Sequence, residues 1–263
     1  MRYPTAGKID HNNGLRDIDL RIEHGERVAV IGSSGAGKST LLRVLATAQQ
    51  PSAGEIQLLD AAPWAMNTRA RRRLRARIGL IQQSPPLPPR QRVVTAVSAG
   101  RIGQWPLWKS LLNFVFPLDI PGVARTLEQL DLAEKIFARC DALSGGQLQR
   151  AAIARALYQA PELLLADESV SAMDPVLAEH TLALLNDISQ QRNTTLIVSL
   201  HNLELALRFF PRVIGLRDGQ VMFDKAANDL TSEELKQLYA NRQLRSTAEL
   251  PTSARAAFQI PRC

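Results

Sequence analysis

The sequence predicts an α/β fold with a mostly parallel sheet, and three apolar segments support this prediction. Val28–Ile31 is a short apolar run that leads into a glycine-rich loop and then into a helix-forming segment, Thr40–Ala48. Leu163–Glu168 is an apolar run that ends on two carboxylates, and Thr195–His201 is one that ends on an imidazole. Apolar strands separated by helical segments are typical of units in which the strands run parallel.

Composition indicates an ordinary globular protein. The 263 residues are 45% hydrophobic and 22% charged, so the chain can bury a sizeable core. The net charge of +7 allows nucleic acid or an anionic membrane as a neighbour but selects neither. The densest basic run, 69–77, contains no interleaved aromatic residues of the kind that stack on bases, which favours a solvated helix face.

Cysteine content and hydropathy limit the cellular compartments in which we expect the protein. Cys140 and Cys263 are far apart, and no cysteine or histidine stands at metal-ligand spacing, so we expect a reduced, intracellular protein. No apolar run reaches the ~18 residues needed to span a bilayer, and the first residues do not resemble a signal peptide. The chain is therefore not expected to cross a membrane by itself.

A phosphate-binding loop follows the first strand. The segment reads GSSGAGKST and fits the pattern G-x-x-x-x-G-K-S between a strand and a helix. The glycines let successive N–H groups point at a triphosphate, Lys38 reaches the β- and γ-phosphates, and the Ser39 hydroxyl can ligate Mg²⁺. The predicted nucleotide-binding residues of this loop are Gly32, Ser33, Ser34, Gly35, Ala36, Gly37, Lys38, Ser39 and Thr40.

Polar residues at the ends of the other two strands complete the predicted chemistry. Asp167 would hold Mg²⁺ through water at the carboxyl edge of the sheet. Glu168 projects differently and could act as the general base for the attacking water. His201 stands where it could hydrogen-bond the γ-phosphate or that water.

A second glycine-rich helix start occurs at Ser144-Gly145-Gly146. The simpler interpretation is a capped helix after a tight turn, and the alternative is an anion-binding site that uses free N–H groups. Since the chain already has one complete phosphate loop, a second cradle is explained if two copies face each other head to tail.

Together these residues resemble the ATP-binding-cassette (ABC) ATPases. Their P-loop, signature, Walker B, D-loop and H-loop correspond to Gly32–Thr40, Leu143–Gln147, Leu163–Glu168, Ser171–Asp174 and His201, in the family's order over about residues 14 to 240. The resemblance implies a P-loop NTPase (RecA-like) core with an antiparallel β edge and an inserted helical subdomain.

The resemblance also implies a set of site residues. Two ATP molecules with Mg²⁺ would lie between the P-loop of one copy and the signature of the other. The residues added to the site are Ser144, Gly145, Gly146, Gln147 and Asp174 for nucleotide, and Gln83 of the Q-loop for both metal and catalysis. Tyr3 would be the aromatic that stacks on adenine. In that case we expect the given start to lack about ten residues that precede this aromatic in the family.

Domain organisation follows from the same comparison. Residues 1–241 would form the ATPase domain, with the core at 1–83 and 158–225 and the helical subdomain at 84–157. Asp218-Gly219 predicts a hairpin turn between Val213–Leu216 and Gln220–Phe223. The polar tail, 242–263, is expected to be loosely ordered.

Longer stretches resemble the phosphonate-import ATPases in particular. They are 98–112, 199–224 and 235–241. Within the first, Trp108, Leu111, Leu112 and Val115 recur at helical spacing, which fits either a subdomain core or a surface that grips a permease helix. The sequence departs from the family at Gln82, at the proline-rich 84–89, at Ser169 and at Met173.

The function expected from the resemblance is that of an ATPase subunit of a phosphonate or similar oxyanion importer. It would lie on the cytoplasmic side of the inner membrane, bound to a permease and served indirectly by a periplasmic binding protein, without nucleic acid. Two alternatives remain: an importer for phosphate, phosphite or an organophosphate, and a soluble cassette protein that assists phosphonate metabolism or acts on nucleic acid. The chain lacks the long coiled-coil insertions of DNA-repair cassettes and the paired ATPase halves of translation-factor cassettes.

Overall fold

A six-stranded sheet forms the centre of the protein. A computed structural model describes residues 14–171 and 173–239, with Val115 described by its backbone only. In chain order the strands are β1 (Arg27–Ile31), β2 (Ile78–Ile81), β3 (Leu163–Asp167), β4 (Thr195–Leu200), β5 (Arg212–Arg217) and β6 (Gln220–Ala226). Across the sheet their order is β2-β3-β4-β1-β5-β6.

The first five strands in this sheet order, including β1, pair in parallel with their neighbours, and β6 pairs antiparallel with β5. The predicted parallel sheet with an antiparallel edge is therefore confirmed. The predicted hairpin turn is confirmed as well, since Asp218 and Gly219 both have positive φ values, of 49° and 81°. Such values suit a two-residue turn whose twist matches that of the strands.

Helices cover both faces of this sheet. They are α1 (Lys38–Leu45), α2 (Thr68–Arg75), α3 (Val93–Ser98), α4 (Leu107–Val115), α5 (Ile120–Glu128), α6 (Gly145–Gln159), α7 (Pro175–Arg192), α8 (Leu203–Phe209) and α9 (232–239). Successive residues of β1 alternate between two cores. Ala29 and Ile31 join the core beneath α3 and α5–α8, whereas Val30 joins the core beneath α1 and α2.

The segment between β2 and β3 contains helices but no further strand in the part of the chain described. Its last helix, α6, continues two residues past the predicted boundary at 157. The division into a core and a helical subdomain remains a prediction.

Two sequence-based details can now be compared with the structure. The predicted bounds of the first helix, Thr40–Ala48, were wrong at both ends. Helix α1 begins at Lys38, directly after the left-handed Gly37, and ends at Leu45. The basic run forms α2, on which Arg69, Arg72 and Arg73 are exposed as expected of a solvated face.

Candidate active site

The carboxyl ends of three adjacent strands bring the predicted residues together. In the sheet, β4 lies between β3 and β1, with Asp167 opposite Ser199 and Ile31 opposite Leu200. Because the three strands are parallel, the segments that leave them begin at the same edge of the sheet. The glycine-rich loop, the two acidic residues and His201 are therefore neighbours.

The backbone of the glycine-rich loop requires glycine at specific positions. Gly32 has a φ of 153°, and a Cβ there would lie 2.1 Å from the carbonyl oxygen of Leu216. Gly37 has a φ of 103° and precedes α1 without any side chain that caps this helix. The first N–H groups of α1 thus remain available to an anion, at the positive end of the helix dipole.

The Lys38 side chain lies inside this loop. It is only 4% exposed, and its Nζ donates to the carbonyl oxygens of Gly32 at 2.9 Å and Ser33 at 3.2 Å. The same Nζ lies 3.9 Å from Oε1 of Glu168. The ammonium is therefore held between the loop and the acidic strand end.

A polar cavity of about 430 Å³ opens beside these groups. This volume falls within the range of roughly 300–1,000 Å³ that is typical of small-molecule sites. Its lining consists of Ser34, Gly35, Gly37, Lys38, Ser39, Thr40, Gln83, Glu168 and His201. All nine residues were predicted from sequence, whereas Gly32, Ser33 and Ala36 form the loop without lining the cavity.

Asp167 lies behind Ser39 and is 9% exposed. Its Oδ1 accepts hydrogen bonds from the Ser39 hydroxyl at 3.0 Å and from the Ser199 hydroxyl at 2.7 Å. A carboxylate and a hydroxyl beside a phosphate-binding loop are oxygen ligands of the kind Mg²⁺ uses. The residues present therefore fit a magnesium ion bound together with phosphate.

Three predicted residues contact the Glu168 carboxylate. Gln83 Nε2 donates to Oε2 at 2.9 Å, His201 Nε2 contacts Oε1, and Lys38 approaches the same oxygen. The Glu168 backbone has a φ of +47°, which is uncommon for a residue with a side chain. Such backbone strain persists where the surroundings hold it and is frequent at functional sites.

The second glycine-rich segment forms the N-terminus of α6. Ser144 caps this helix in a capping box, because Gln147 N–H donates to its hydroxyl at 3.3 Å and Ser144 N–H donates to Gln147 Oε1 at 3.0 Å. The simpler interpretation, a capped helix, thus describes the local geometry. A ligand can still approach, since a Cβ on Gly145 would have no atom within 4 Å.

Neither the signature nor the D-loop aspartate lines the cavity of its own chain. Asp174 instead caps α7, where its Oδ1 accepts a hydrogen bond from Leu177 N–H at 3.0 Å. Tyr3 lies outside the described residues. The geometry therefore unites the P-loop, Walker B, Q-loop and H-loop residues and leaves the signature elsewhere on the surface.

Sequence reasoning missed three residues that support this site. Ser199 bonds to Asp167, Ser171 Oγ donates to the Glu168 carbonyl oxygen at 2.8 Å, and Gln149 Nε2 donates to the Gln82 carbonyl oxygen at 3.1 Å. Ser199 had a detectable signal, because it is a polar residue inside an apolar strand. A glutamine within a helix gives no comparable signal, yet Gln149 is 2% exposed.

Comparison with known proteins places this geometry in context. Residues 15–171 match the family model described as ABC transporter. The chain is 60% identical over 254 residues to the phosphonates import ATP-binding protein PhnC 2 of Pseudomonas aeruginosa strain UCBPP-PA14, covering 97% of this chain and 95% of that protein. It is 58% identical over 258 residues to the phosphonates import ATP-binding protein PhnC of Pseudomonas fluorescens strain Pf0-1, covering 97% of each.

Solved structures show the same fold. A dimeric post-hydrolysis state of the ATP-binding cassette MJ0796, bound to ADP and Pi, has a TM-score of 0.71 at 27% identity and covers 82% of this chain and 91% of that one. The dimeric structure of MJ0796 described as a bacterial ABC transporter cassette gives a TM-score of 0.72 with the same coverage.

Proposed function

The chain belongs to the ABC transporter family, whose activity is ATP hydrolysis, and on that premise we propose that it powers the import of phosphonates. The observation that supports hydrolysis most directly is the convergence of Lys38, Gln83 and His201 on the Glu168 carboxylate, beside the glycine-rich loop. The load is proposed from the names of the relatives, because the ATPase itself need not touch it.

In this proposal each residue of the site has a role. Lys38 and the loop N–H groups bind the β- and γ-phosphates, and Ser39, Asp167 and Gln83 would hold Mg²⁺, which neutralises phosphate charge when bound. The attacking water forms a bond to the γ-phosphorus while the bond to the β–γ bridging oxygen breaks. Glu168 accepts the proton of that water.

Gln83 and His201 hold the Glu168 carboxylate in place for this step. Their contacts restrict its two oxygens, so the proton acceptor is oriented before the nucleotide reacts. The His201 side chain is 44% exposed, and in this proposal it would also hydrogen-bond a phosphate oxygen of the bound nucleotide.

The signature of a second copy completes the site in this proposal. Ser144–Gln147 lie outside the cavity of their own chain, yet they offer a helix N-terminus with open space at Gly145. Head-to-tail pairing would place this N-terminus against the γ-phosphate bound by the partner. The dimeric cassettes with similar structure support the pairing.

A membrane partner is part of the same proposal. None of the helices in the described part of the chain combines the length and the apolar composition needed to cross a bilayer. Because the chain is similar to ATP-binding proteins named for phosphonates import, we propose that it binds an inner-membrane permease from the cytoplasmic side, and that a periplasmic binding protein delivers the phosphonate on the other side.

Helix α4 is the surface proposed to contact the permease. Its apolar side chains face solvent rather than the protein: Leu107, Trp108, Leu111 and Phe114 are 70%, 67%, 59% and 51% exposed. The subdomain-core interpretation of this helix is therefore wrong for Trp108 and Leu111.

The inward face of α4 is polar. Ser110 is 4% exposed, and the fully buried Asn113 donates from Nδ2 to Ser98 Oγ at 2.8 Å. A surface helix normally has the reverse pattern, with apolar residues inside. An exposed apolar helix face of this kind marks a site of interaction with protein or membrane.

A pair of matched variants tests the permease contact. Leu111→Glu should abolish co-purification of the chain with its permease while leaving ATPase activity of the isolated protein within about twofold of wild type. Met222→Glu is the control, because Met222 is a similarly sized exposed residue, at 45%, on β6. Equal retention of the permease by both variants would exclude α4 as the contact.

Uptake measurements test the load. Cells expressing this chain with a phosphonate permease and its binding protein should accumulate a labelled alkylphosphonate, and Glu168→Gln should abolish accumulation. Unlabelled phosphonate should compete better than phosphate or phosphite. Stronger competition by phosphate or phosphite would reassign the load, and an absence of uptake with any of these anions would overturn the importer proposal.

A further inference from the structure

One hydroxyl is buried at the centre of the site without having been assigned a function. Ser199 belongs to β4, where every residue of the strand TLIVSL is buried. The side chain is 0% exposed and does not line the cavity, so it cannot touch a nucleotide. A polar group buried this deeply normally has hydrogen-bond partners, and those partners indicate its role.

The partners of Ser199 are Asp167, the last residue of β3, and Glu168, which follows the strand. Its Oγ donates to Asp167 Oδ1 at 2.7 Å and accepts the backbone N–H of Glu168 at 2.9 Å. The same N–H also approaches the Ser199 carbonyl oxygen at 3.3 Å. A single residue thus binds both the metal-site carboxylate and the backbone of the proposed general base.

The register of the sheet makes this contact possible. Ser199 is opposite Asp167 on one side and opposite Val30 of β1 on the other. Ser39, which follows the loop from β1, donates to the same Oδ1 of Asp167 at 3.0 Å. Two donors on one carboxylate oxygen fix the rotation of the Asp167 side chain.

The Glu168 backbone needs a similar restraint. Its φ of +47° costs free energy for a residue with a Cβ, so the neighbouring structure must hold it there. The Ser199 oxygens are the acceptors that its N–H finds. Without them the turn could relax and move the Glu168 side chain relative to Gln83 and His201.

We infer that Ser199 is a positioning residue for ATP hydrolysis: its hydroxyl holds the Asp167 carboxylate and the Glu168 backbone in the arrangement that metal binding and proton transfer require. This inference rests on the proposed magnesium-dependent hydrolysis of ATP. It predicts that Ser199 affects the magnesium-dependent part of nucleotide binding and not the contacts made by the loop and Lys38.

The test compares Ser199→Ala with wild type by calorimetry and by kinetics. A non-hydrolysable ATP analogue is titrated with excess chelator and then with Mg²⁺. Loss of such an outer-shell partner typically costs about 10–100-fold in metal affinity or activity, so the affinity gained on adding Mg²⁺ and the kcat should each fall by about that factor. Affinity in chelator should stay within about twofold of wild type.

Ser189→Ala is the matched control. Ser189 is also 0% exposed, but it lies on α7 and its Oγ has no hydrogen-bond partner among the described residues, so wild-type values are expected. If Ser199→Ala melts at a temperature too low for assay, Ser199→Cys replaces it, because the somewhat larger thiol leaves no cavity and is only a weak donor. The Cys variant should then show the same loss.

The outcomes separate the inference from the function on which it rests. An unchanged Mg²⁺ effect and an unchanged kcat in the folded Ser199 variant would overturn the positioning role. An equal loss of affinity with and without Mg²⁺ would also overturn it, because that result indicates general damage to the site. Absence of Mg²⁺-dependent hydrolysis in the wild-type chain would instead refute the proposed activity.

Discussion

Among single residues, Glu168 is expected to have the largest effect on hydrolysis. Its side chain is 12% exposed, and it is the carboxylate on which Gln83, His201 and Lys38 converge. In Glu168→Gln the amide keeps the shape and the hydrogen-bonding capacity on one oxygen but cannot accept the proton from water. We therefore expect ATP affinity within about threefold of wild type and hydrolysis reduced by at least about 100-fold.

Single-turnover hydrolysis and equilibrium ATP binding measure these two quantities. The variant should also accumulate as an ATP-bound dimer in size-exclusion chromatography. Turnover close to that of wild type would remove Glu168 from the role of general base.

Lys38 has a different expected signature. Because its ammonium contacts the loop carbonyls and would bind the β- and γ-phosphates, Lys38→Ala should weaken ATP binding by at least about tenfold and reduce hydrolysis as well. Lys236→Ala is the control, since Lys236 is an exposed lysine on α9 and should behave like wild type. Unchanged ATP binding by calorimetry in Lys38→Ala would mean that the loop is not the nucleotide cradle.

Sequence alone predicted the residues that line the cavity but not the residues that support them. Lys38, Ser39 and Glu168 were found because the glycine pattern and the strand-end carboxylates have a direct chemical reason. Ser199 and Gln149 act through neighbours that are 31 or more positions away in the chain, at Glu168 and Gln82. Such contacts follow from sheet register and helix packing, which a single sequence does not specify.

At the scale of elements, the network around Asp119 joins α5 to the signature helix. Asp119 caps α5 by accepting Gly122 N–H at 2.9 Å, and it accepts the Tyr158 hydroxyl of α6 at 2.9 Å. Burial and this bond raise the pKa of Tyr158 to about 12. The Asp119 carboxylate therefore accepts hydrogen bonds from both α5 and α6.

Removal of this carboxylate should destabilise the fold measurably. A lost cap costs about 1 kcal/mol, and the lost bond to Tyr158 costs about 1 kcal/mol more, so Asp119→Ala should lower the free energy of unfolding by about 2 kcal/mol. Asp119→Asn keeps an oxygen that caps the helix and should lose less than half of that. Urea denaturation measures the free energy of unfolding of both variants. Equal losses of this free energy in the two variants would contradict the capping role.

The same network gives a pH dependence. Burial alone would raise the pKa of the Asp119 carboxyl, but the bonds from Gly122 and Tyr158 and the charge of Arg101 hold it below its ordinary value. A lowered pKa stabilises the folded state above the unfolded-state pKa, near 4, and this stabilisation is lost as the pH falls through the folded-state value. The difference in the free energy of unfolding between wild type and Asp119→Asn should thus be constant above about pH 5 and should become smaller below it.

Element types were largely predictable, and element ends were not. Five of the six strands described and the hairpin were recovered because apolar runs and Asp218-Gly219 are local signals, whereas β2 (Ile78–Ile81) was not identified. The bounds of α1 were wrong by two and three residues, since Gly37 in a left-handed conformation starts the helix early and Thr47, with a φ of 55°, follows its end. The outward apolar face of α4 was left undecided by sequence, because helical spacing does not show which side of a stripe meets the protein.

At the scale of the whole molecule, the central claim is that two copies share each ATP site. Ser144–Gln147 do not line the cavity that contains Lys38, which supports the proposal that the signature acts on another chain. Gly145→Asp adds a carboxylate where a γ-phosphate would approach. ATP binding by the monomer should stay within about threefold of wild type, and hydrolysis should fall by at least about 100-fold.

Mixed dimers extend this prediction. A dimer of one Gly145→Asp chain and one Lys38→Ala chain has one site with both lesions and one site with an intact loop and an intact signature. If one site can react alone, purified mixed dimers should show residual hydrolysis above that of either parent. A signature that acts within its own chain predicts instead that the mixture is as inactive as the parents.

The most direct measurement is a crosslink between the loop and the signature of different chains. Ser34 and Ser144 are both exposed, and each can be changed to cysteine in a separate chain with Cys140→Ala, Cys263→Ala and Glu168→Gln. With ATP and a short bifunctional thiol reagent, we expect a covalent dimer from the mixture of the two chains and none without ATP. Absence of that dimer, together with an intrachain crosslink in a monomer carrying both cysteines, would contradict the shared site.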